Sequence, residues 1–204
     1  MGATSSAPAW LASVEAGAPD TVAAWNALGN RFAGVRGLRR VLDERVTDGD
    51  APRIFTEQEI LAKALDEALA ASPDAALRVP GGEEDWNVAQ TFAHVTAARR
   101  FLPTWAAMAA AGNWPADDPP RVRPSIPGDP AATRDELLVL LTKSRRAQER
   151  AAEQLTGHES QPCPLDHPLV GRLRCGDWLL FAGVHDLMHL EQLHRIADQH
   201  RGGS

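Results

Sequence analysis

The sequence predicts an all-α protein, a four-helix bundle preceded by an extra N-terminal helical segment. Three observations lead there. Ala, Leu, Arg and Glu abound, β-branched residues are scattered and tyrosine is absent, a composition that favours helix over strand. Apolar residues recur at three- and four-residue spacing along several stretches. Helix-start signals head the clearest of these stretches, with Gly or Pro beyond their ends. A chain of 204 residues is long enough for one domain with a substantial core.

The elements follow in order. Residues 19–46 carry Val22, Trp25, Leu28, Phe32, Val35 and Leu38 at helical spacing, while Gly29, Gly34 and Gly37 predict one broken helix or two short ones. Residues 47–52 read as a loop. Thr56 then caps a helix, with Glu59 as its capping-box partner and Phe55 stapled on Ile60. That helix runs to about residue 71 and buries Ile60, Leu61, Ala64, Leu65 and Ala68. After a turn at Pro80-Gly81-Gly82, Asn87 and Gln90 open a second helix reaching about residue 111. Pro103 inside it removes a backbone donor and predicts a kink near Arg99.

Residues 112–132 form a proline-rich loop of a length typical of lids or of disorder. Thr133 and Glu136 open a third helix that stops at Gly157. Its inner stripe, Leu137, Leu141, Ser144, Gln148, Ala151 and Leu155, is bulky at the ends and small or polar in the middle. Close helix packing and room for a pocket both fit that pattern. A second irregular stretch, 158–176, leads into a last helix over 177–199. Residues 1–52 are thus expected to be an N-terminal helical extension, and 53–200 the bundle.

Charge and composition narrow the function classes. A net charge of −6 argues against nucleic acid as a partner, and Arg36, Arg39 and Arg40 read as a solvated helix face. No run of eighteen apolar residues suits a membrane span, and no basic stretch followed by an apolar block suggests a signal peptide. Met1-Gly2-Ala3-Thr4-Ser5-Ser6 fits a myristoylation pattern short enough to arise by chance. Cys163 and Cys175, twelve positions apart, allow one disulfide, but so few cysteines suit a reducing compartment. The expectation is a cytoplasmic protein acting on a small molecule.

The chemistry concentrates in the last helix. His185 and His189, at i and i+4, share one face and can aim both imidazoles at one point. Trp178, Phe181, Ala182, Gln192 and Ile196 extend the same stripe, so the pair is expected to be buried and to need partners. Two satisfied core histidines or two metal ligands would each meet that need. His94, on an inward-pointing face of the second helix with Gln90, Thr91, Ala98, Phe101, Trp105 and Met108, is the third candidate. Three imidazoles meeting without a cation disfavour one another's protonation, which a metal resolves. His158, His167, His194 and His200 fall in loop, off the stripe or at a frayed end, and are not expected to be ligands.

Asp85-Trp86-Asn87-Val88-Ala89-Gln90 before His94, His167-Pro168-Leu169-Val170-Gly171-Arg172-Leu173, Trp178 and His185-x3-His189-Leu190-Glu191-Gln192 together resemble the DinB/YfiT-like superfamily. The resemblance spans about 55–196 and implies a four-helix bundle of up-down-down-up connectivity. It also implies a divalent metal held by one histidine of the second helix and two of the fourth, here His94, His185 and His189. Asn87 stands where the family usually has Ser or Thr, and residues before Pro52 are not explained by the family bundle.

The superfamily includes transferases that use bacillithiol, mycothiol or glutathione, a mycothiol-dependent isomerase and members without assigned activity. The resemblance therefore implies a metal-dependent enzyme, with a thiol S-transferase acting on a small electrophile as the leading expectation. An Ala/Arg/Gly-rich composition hints at a high-GC bacterium and at mycothiol, with Arg121 and Arg123 as carboxylate or sugar contacts. The alternatives are a metal-dependent hydrolase and a non-catalytic metal-binding module. Imidazole donors suit zinc, nickel, copper and iron-type ions alike. A homodimer is the expected assembly.

Overall fold

The computed structural model describes residues 8–29, 34–81 and 85–201. Phe32, Gly82 and the Met1-Gly2 pattern lie outside the described residues. The chain is built from α1 (Ala9–Gly17), α2 (Pro19–Leu28), α3 (Val35–Arg45), α4 (Ala51–Ala71), α5 (Asp74–Arg78), α6 (Val88–Ala110), α7 (Arg134–Leu155), β1 (Pro162–His167), β2 (Gly171–Arg174) and α8 (Cys175–Arg201).

Helices α4, α6, α7 and α8 form the bundle. α6 packs along both α7 and α8, and α4 flanks the same two from the other side. Hydrogen bonds at one end fix the directions. Arg201, closing α8, donates to the Ala71 carbonyl that closes α4, at 2.7 Å. Asn87, capping α6, donates to Pro130 just ahead of α7, at 3.1 Å, and Arg134 in the first turn of α7 donates to Leu69 and Ser72. Two helix ends and two helix starts therefore meet there, which is the expected up-down-down-up arrangement. The parallel neighbours α6 and α7 require a return path of about 34 Å, the length of a 23-residue helix. The long proline-rich loop supplies it.

Both predicted capping boxes at Asn87–Gln90 and Thr133–Glu136 are present. The one at Thr56–Glu59 is not. α4 begins six residues earlier, at Ala51, because a distant carboxylate caps it. Buried Glu159 accepts the N–H groups of Ala51 at 2.8 Å, Gly49 at 3.0 Å and Gly157 at 2.7 Å. Inside the helix, the Thr56 hydroxyl donates to the Pro52 carbonyl and Glu59 pairs with Arg145. Phe55 and Ile60 pack against opposite halves of the core and form no staple.

The 19–46 stretch takes the two-helix form, and the Ala/Ser-rich start adds the unpredicted α1. This N-terminal part packs on α4 and α8. Glu57 of α4 accepts the Thr21 hydroxyl at 2.7 Å and the Thr21 N–H at 2.9 Å, so it also serves as a cap for α2. Gly183 of α8 permits the approach, since a Cβ there would lie 2.6–2.8 Å from atoms of Gln58, Thr21 and Leu61.

The region 158–176, expected to be irregular, contains an antiparallel hairpin of β1 and β2. Pro162 and Pro164 mask a strand from sequence reading, and the ladder is irregular between Pro162 and Asp166. β1 nevertheless alternates, turning Cys163, Leu165 and His167 inward. Cys163 and Cys175 are buried free thiols. α6 continues past Pro103 as one helix, and no described helix is long and apolar enough to cross a membrane.

The core has two apolar halves, one around Leu61, Phe92, Leu137 and Leu190, the other around Ile54, Leu102, Leu155 and Phe181. Between them lies a polar layer. Arg99 of α6, fully buried, pairs with buried Asp186 of α8 and donates to the Gln58 carbonyl at 3.1 Å, Gln148 Oε1 at 2.5 Å and Ser144 Oγ at 3.3 Å. The small and polar middle of α7 thus receives a guanidinium and forms no pocket. Arg99→Met should lower unfolding free energy by about 3–5 kcal/mol, because it strands the Asp186 charge in the core. Arg99→Met/Asp186→Leu should recover most of that loss, as read from urea unfolding followed by circular dichroism.

Candidate metal centre

The face of α6 expected to point inward is the face that lines a cavity. Phe92, Val95, Arg99, Leu102 and Ala106 form its buried stripe, and His94, Ala98 and Trp105 lie one position round, half-buried. Phe101 is 50% exposed at the cavity margin. The cavity, about 570 Å³, lies between α6, α8, the hairpin and residues 120–128 of the loop. The loop is held down by its backbone, Gly128 N–H donating to the Gln90 carbonyl at 3.1 Å. A Cβ on Gly128 would lie 2.3 Å from that of Ala93, so only glycine lets the loop come this close.

At the inner end of the cavity the three predicted histidines meet. One turn of α8 separates His185 from His189, and α6 brings His94 opposite them. His94 Nε2 lies 3.2 Å from His185 Nε2, and ligand atoms of all three residues lie within 4.8 Å of one another. Donors about 2.0–2.1 Å from a tetrahedral ion are spaced about 3.3–3.4 Å apart, so small shifts suffice to accommodate one. The histidine group can hold a metal ion.

The outer nitrogens define which atoms are free to do so. His94 Nδ1 lies 2.9 Å from the Ile126 carbonyl, which can only accept, so Nδ1 carries the hydrogen and Nε2 the lone pair. His189 Nδ1 lies 2.7 Å from Gln192 Oε1 and takes the same tautomer. Among the described residues, His185 Nδ1 is buried with no partner. Trp86 meets the His94 ring edge-on at 5.2 Å.

Burial disfavours protonation of all three rings. It holds His189 down at about 3, helped by the neighbouring His94 and opposed by Gln192. His185 is held well below the ordinary histidine value by burial and then by His189, His94 and His167. His94 is lowered by burial, against the pull of the Ile126 carbonyl. Neutral imidazole is the form that ligates a metal.

Arg121 and Arg123, the expected cofactor contacts, are exposed and line the cavity from the loop. His194 stacks on Trp10, and His158, on the surface, contacts Gln161; neither joins the cluster. His167, expected to lie in loop, sits on β1, is 8% exposed and lines the cavity. The alternation of Cys163, Leu165 and His167 was the sequence signal for its inward direction. Asp186 turns to Arg99, and burial pushes its carboxyl up to about 7 against the pull of that guanidinium. Glu191 is exposed and pairs with Arg195.

Fold and site together define a helical bundle with a three-histidine group, able to bind a metal, set between its second and fourth core helices. The DinB superfamily profile matches residues 57–193, and the chain belongs to that superfamily. It matches no curated protein and no solved structure significantly.

Two outcomes are expected. Zinc, measured by equilibrium dialysis, should bind one ion per chain, be lost in His94→Ala, His185→Ala and His189→Ala, and bind about 10–100-fold more weakly in Gln192→Ala. The second concerns pH. Unfolded histidines titrate near 6.5, and the buried rings refuse protons down to much lower pH. Below about pH 6.5 the unfolded chain therefore gains protons that the fold excludes, and stability falls by up to about 1.4 kcal/mol per pH unit for each excluded proton. Metal-free protein should show a lower Tm at pH 5 than at pH 7.5, with a smaller drop in His189→Leu.

Proposed function

We propose that the chain is a metal-dependent enzyme that joins a low-molecular-weight thiol to a small, largely apolar electrophile. One observation carries this reading: the three-histidine group opens onto a cavity instead of being sealed by a fourth protein ligand among the described residues. Three-ligand sites with an open position are catalytic in type, and closed four-ligand sites structural.

A divalent ion held by three neutral imidazoles would keep its positive charge uncompensated and lower the pKa of a thiol brought to it. The residues of the chain supply the rest. Ile126 and Gln192 fix the tautomers of His94 and His189, so that both Nε2 lone pairs face the same point. Trp86, Leu102, Trp105, Leu165 and Met188 give the cavity an apolar wall that displaces water from an electrophile. Arg121 and Arg123 on the loop suit the carboxylates or hydroxyls of a peptide- or sugar-based thiol. Mycothiol is the first candidate, and bacillithiol and glutathione are the comparisons.

Hydrolysis is the less favoured reading, since no carboxylate lines the cavity among the described residues to act as general base. Purified protein loaded with zinc, nickel or iron(II) is to be incubated with each thiol and 1-chloro-2,4-dinitrobenzene, with conjugate formation followed by absorbance. Thiol-dependent turnover at least tenfold above that of His94→Ala is expected, and Arg121→Ala/Arg123→Ala should raise KM for the thiol more than it lowers kcat. No turnover above the His94→Ala level with any thiol would overturn the assignment.

A further inference from the structure

The hairpin contributes to the cavity a polar group that the histidine cluster does not use. His167 Nδ1 lies 3.1 Å from the Leu169 N–H and 3.4 Å from the Val170 N–H, and accepts from both. A ring nitrogen that accepts carries no hydrogen, so the hydrogen of the neutral imidazole is on Nε2. The ring is more than nine-tenths buried, is fixed by an edge-on contact with Phe181 at 5.7 Å, and lines the same cavity as His94, His185 and His189. Among the described residues Nε2–H has no partner. The turn after β1 thus locks the tautomer and leaves one oriented donor in an apolar wall between Leu165 and Leu169.

We infer that His167 Nε2–H is the substrate-recognition donor of the cavity, selecting apolar, ring-sized ligands that carry a carbonyl-type oxygen. A fixed, largely buried donor flanked by apolar wall discriminates well, and Arg121 and Arg123 lie on the exposed loop side of the cavity. A ligand with an acceptor satisfies the N–H, and one without it leaves the group unpaired on closing the site. The cavity has room for an aryl group, and its size and lining suit a body of that kind. The assignment rests on the reading of the cavity as the substrate site. It adds the class of electrophile, an aryl or branched-alkyl carbonyl compound oriented by its oxygen.

The test uses two probes of nearly equal shape, acetophenone and isopropylbenzene, which differ in the carbonyl oxygen. Binding to the full chain is measured by NMR titration, with the His167 side-chain ¹⁵N resonances followed, in metal-free and zinc-loaded protein. Wild type should bind acetophenone at least fivefold more tightly and shift the Nε2 resonance. His167→Asn can still accept the Leu169 N–H through Oδ1 but does not reach into the cavity, and it should bind both probes equally. His167→Gln, whose amide reaches the Nε2 position, should keep part of the preference. A preference that persists in His167→Asn, or equal behaviour of the two probes in wild type, including no binding of either, overturns the inference. Failure of zinc to bind would overturn the metal reading alone, because the metal-free titration reads His167 independently.

Discussion

The buried Arg99–Asp186 pair is the contact on which the geometry of the bundle turns. It joins α6 to α8 at the level where the two apolar halves of the core meet, and Gln58, Ser144 and Gln148 bring α4 and α7 to the same guanidinium. An apolar layer of equal volume could hold the helices together as well, because burying two charges costs several kcal/mol each before their attraction offsets it. What the ionic layer adds is register. A one-turn slide of α6 along α8 would remove Arg99 from Asp186 and strand both charges, whereas Leu sliding over Leu costs little. Asp186 follows His185 directly in the chain, and His94 lies five residues before Arg99. The constraint that fixes the layer therefore also fixes His94 opposite the paired histidines.

The same pair explains where sequence reasoning succeeds and where it fails. The i,i+4 histidines, the two capping boxes and the ends of α6 and α7 are local features, and each appears as expected. The orientation of α6 is not local. An arginine in a helix reads as solvent-facing and aromatic residues read as core, yet here Arg99 is fully buried while Phe101 and Trp105 border the cavity. The deepest stripe lies one position round the helix from the face that carries His94. The offset arises because the partners that make burial of Arg99 tolerable come from three other helices.

The start of α4 fails for a related reason. Thr56 and Glu59 form a plausible local signal, but Glu159, more than a hundred residues away in the chain, satisfies the Ala51 and Gly49 N–H groups and moves the helix start upstream. The hairpin is hidden by its own prolines. The carbonyl of Ile126 has no side-chain signature at all, although it selects the tautomer of His94. Three ligand candidates were thus legible in the sequence, and most of what orients them was not.

The cluster is also asymmetric, and the asymmetry bears on how it tolerates the absence of an ion. His94 and His189 have partners for their outer nitrogens, and His185 has none among the described residues. His185 can place its hydrogen on Nδ1, where it is buried and unpaired, or on Nε2, where it is 3.2 Å from the lone pair of His94. Burying an unpaired N–H is the costlier choice, since an acceptor left bare is the lesser defect. The metal-free chain therefore favours a His185-to-His94 hydrogen bond, worth about 1 kcal/mol net. An ion entering the cluster displaces one modest bond between rings already held in place by the Arg99–Asp186 layer and the loop. The Arg99–Asp186 layer, the Ile126 carbonyl and Gln192 thus orient the rings through contacts that do not themselves involve an ion.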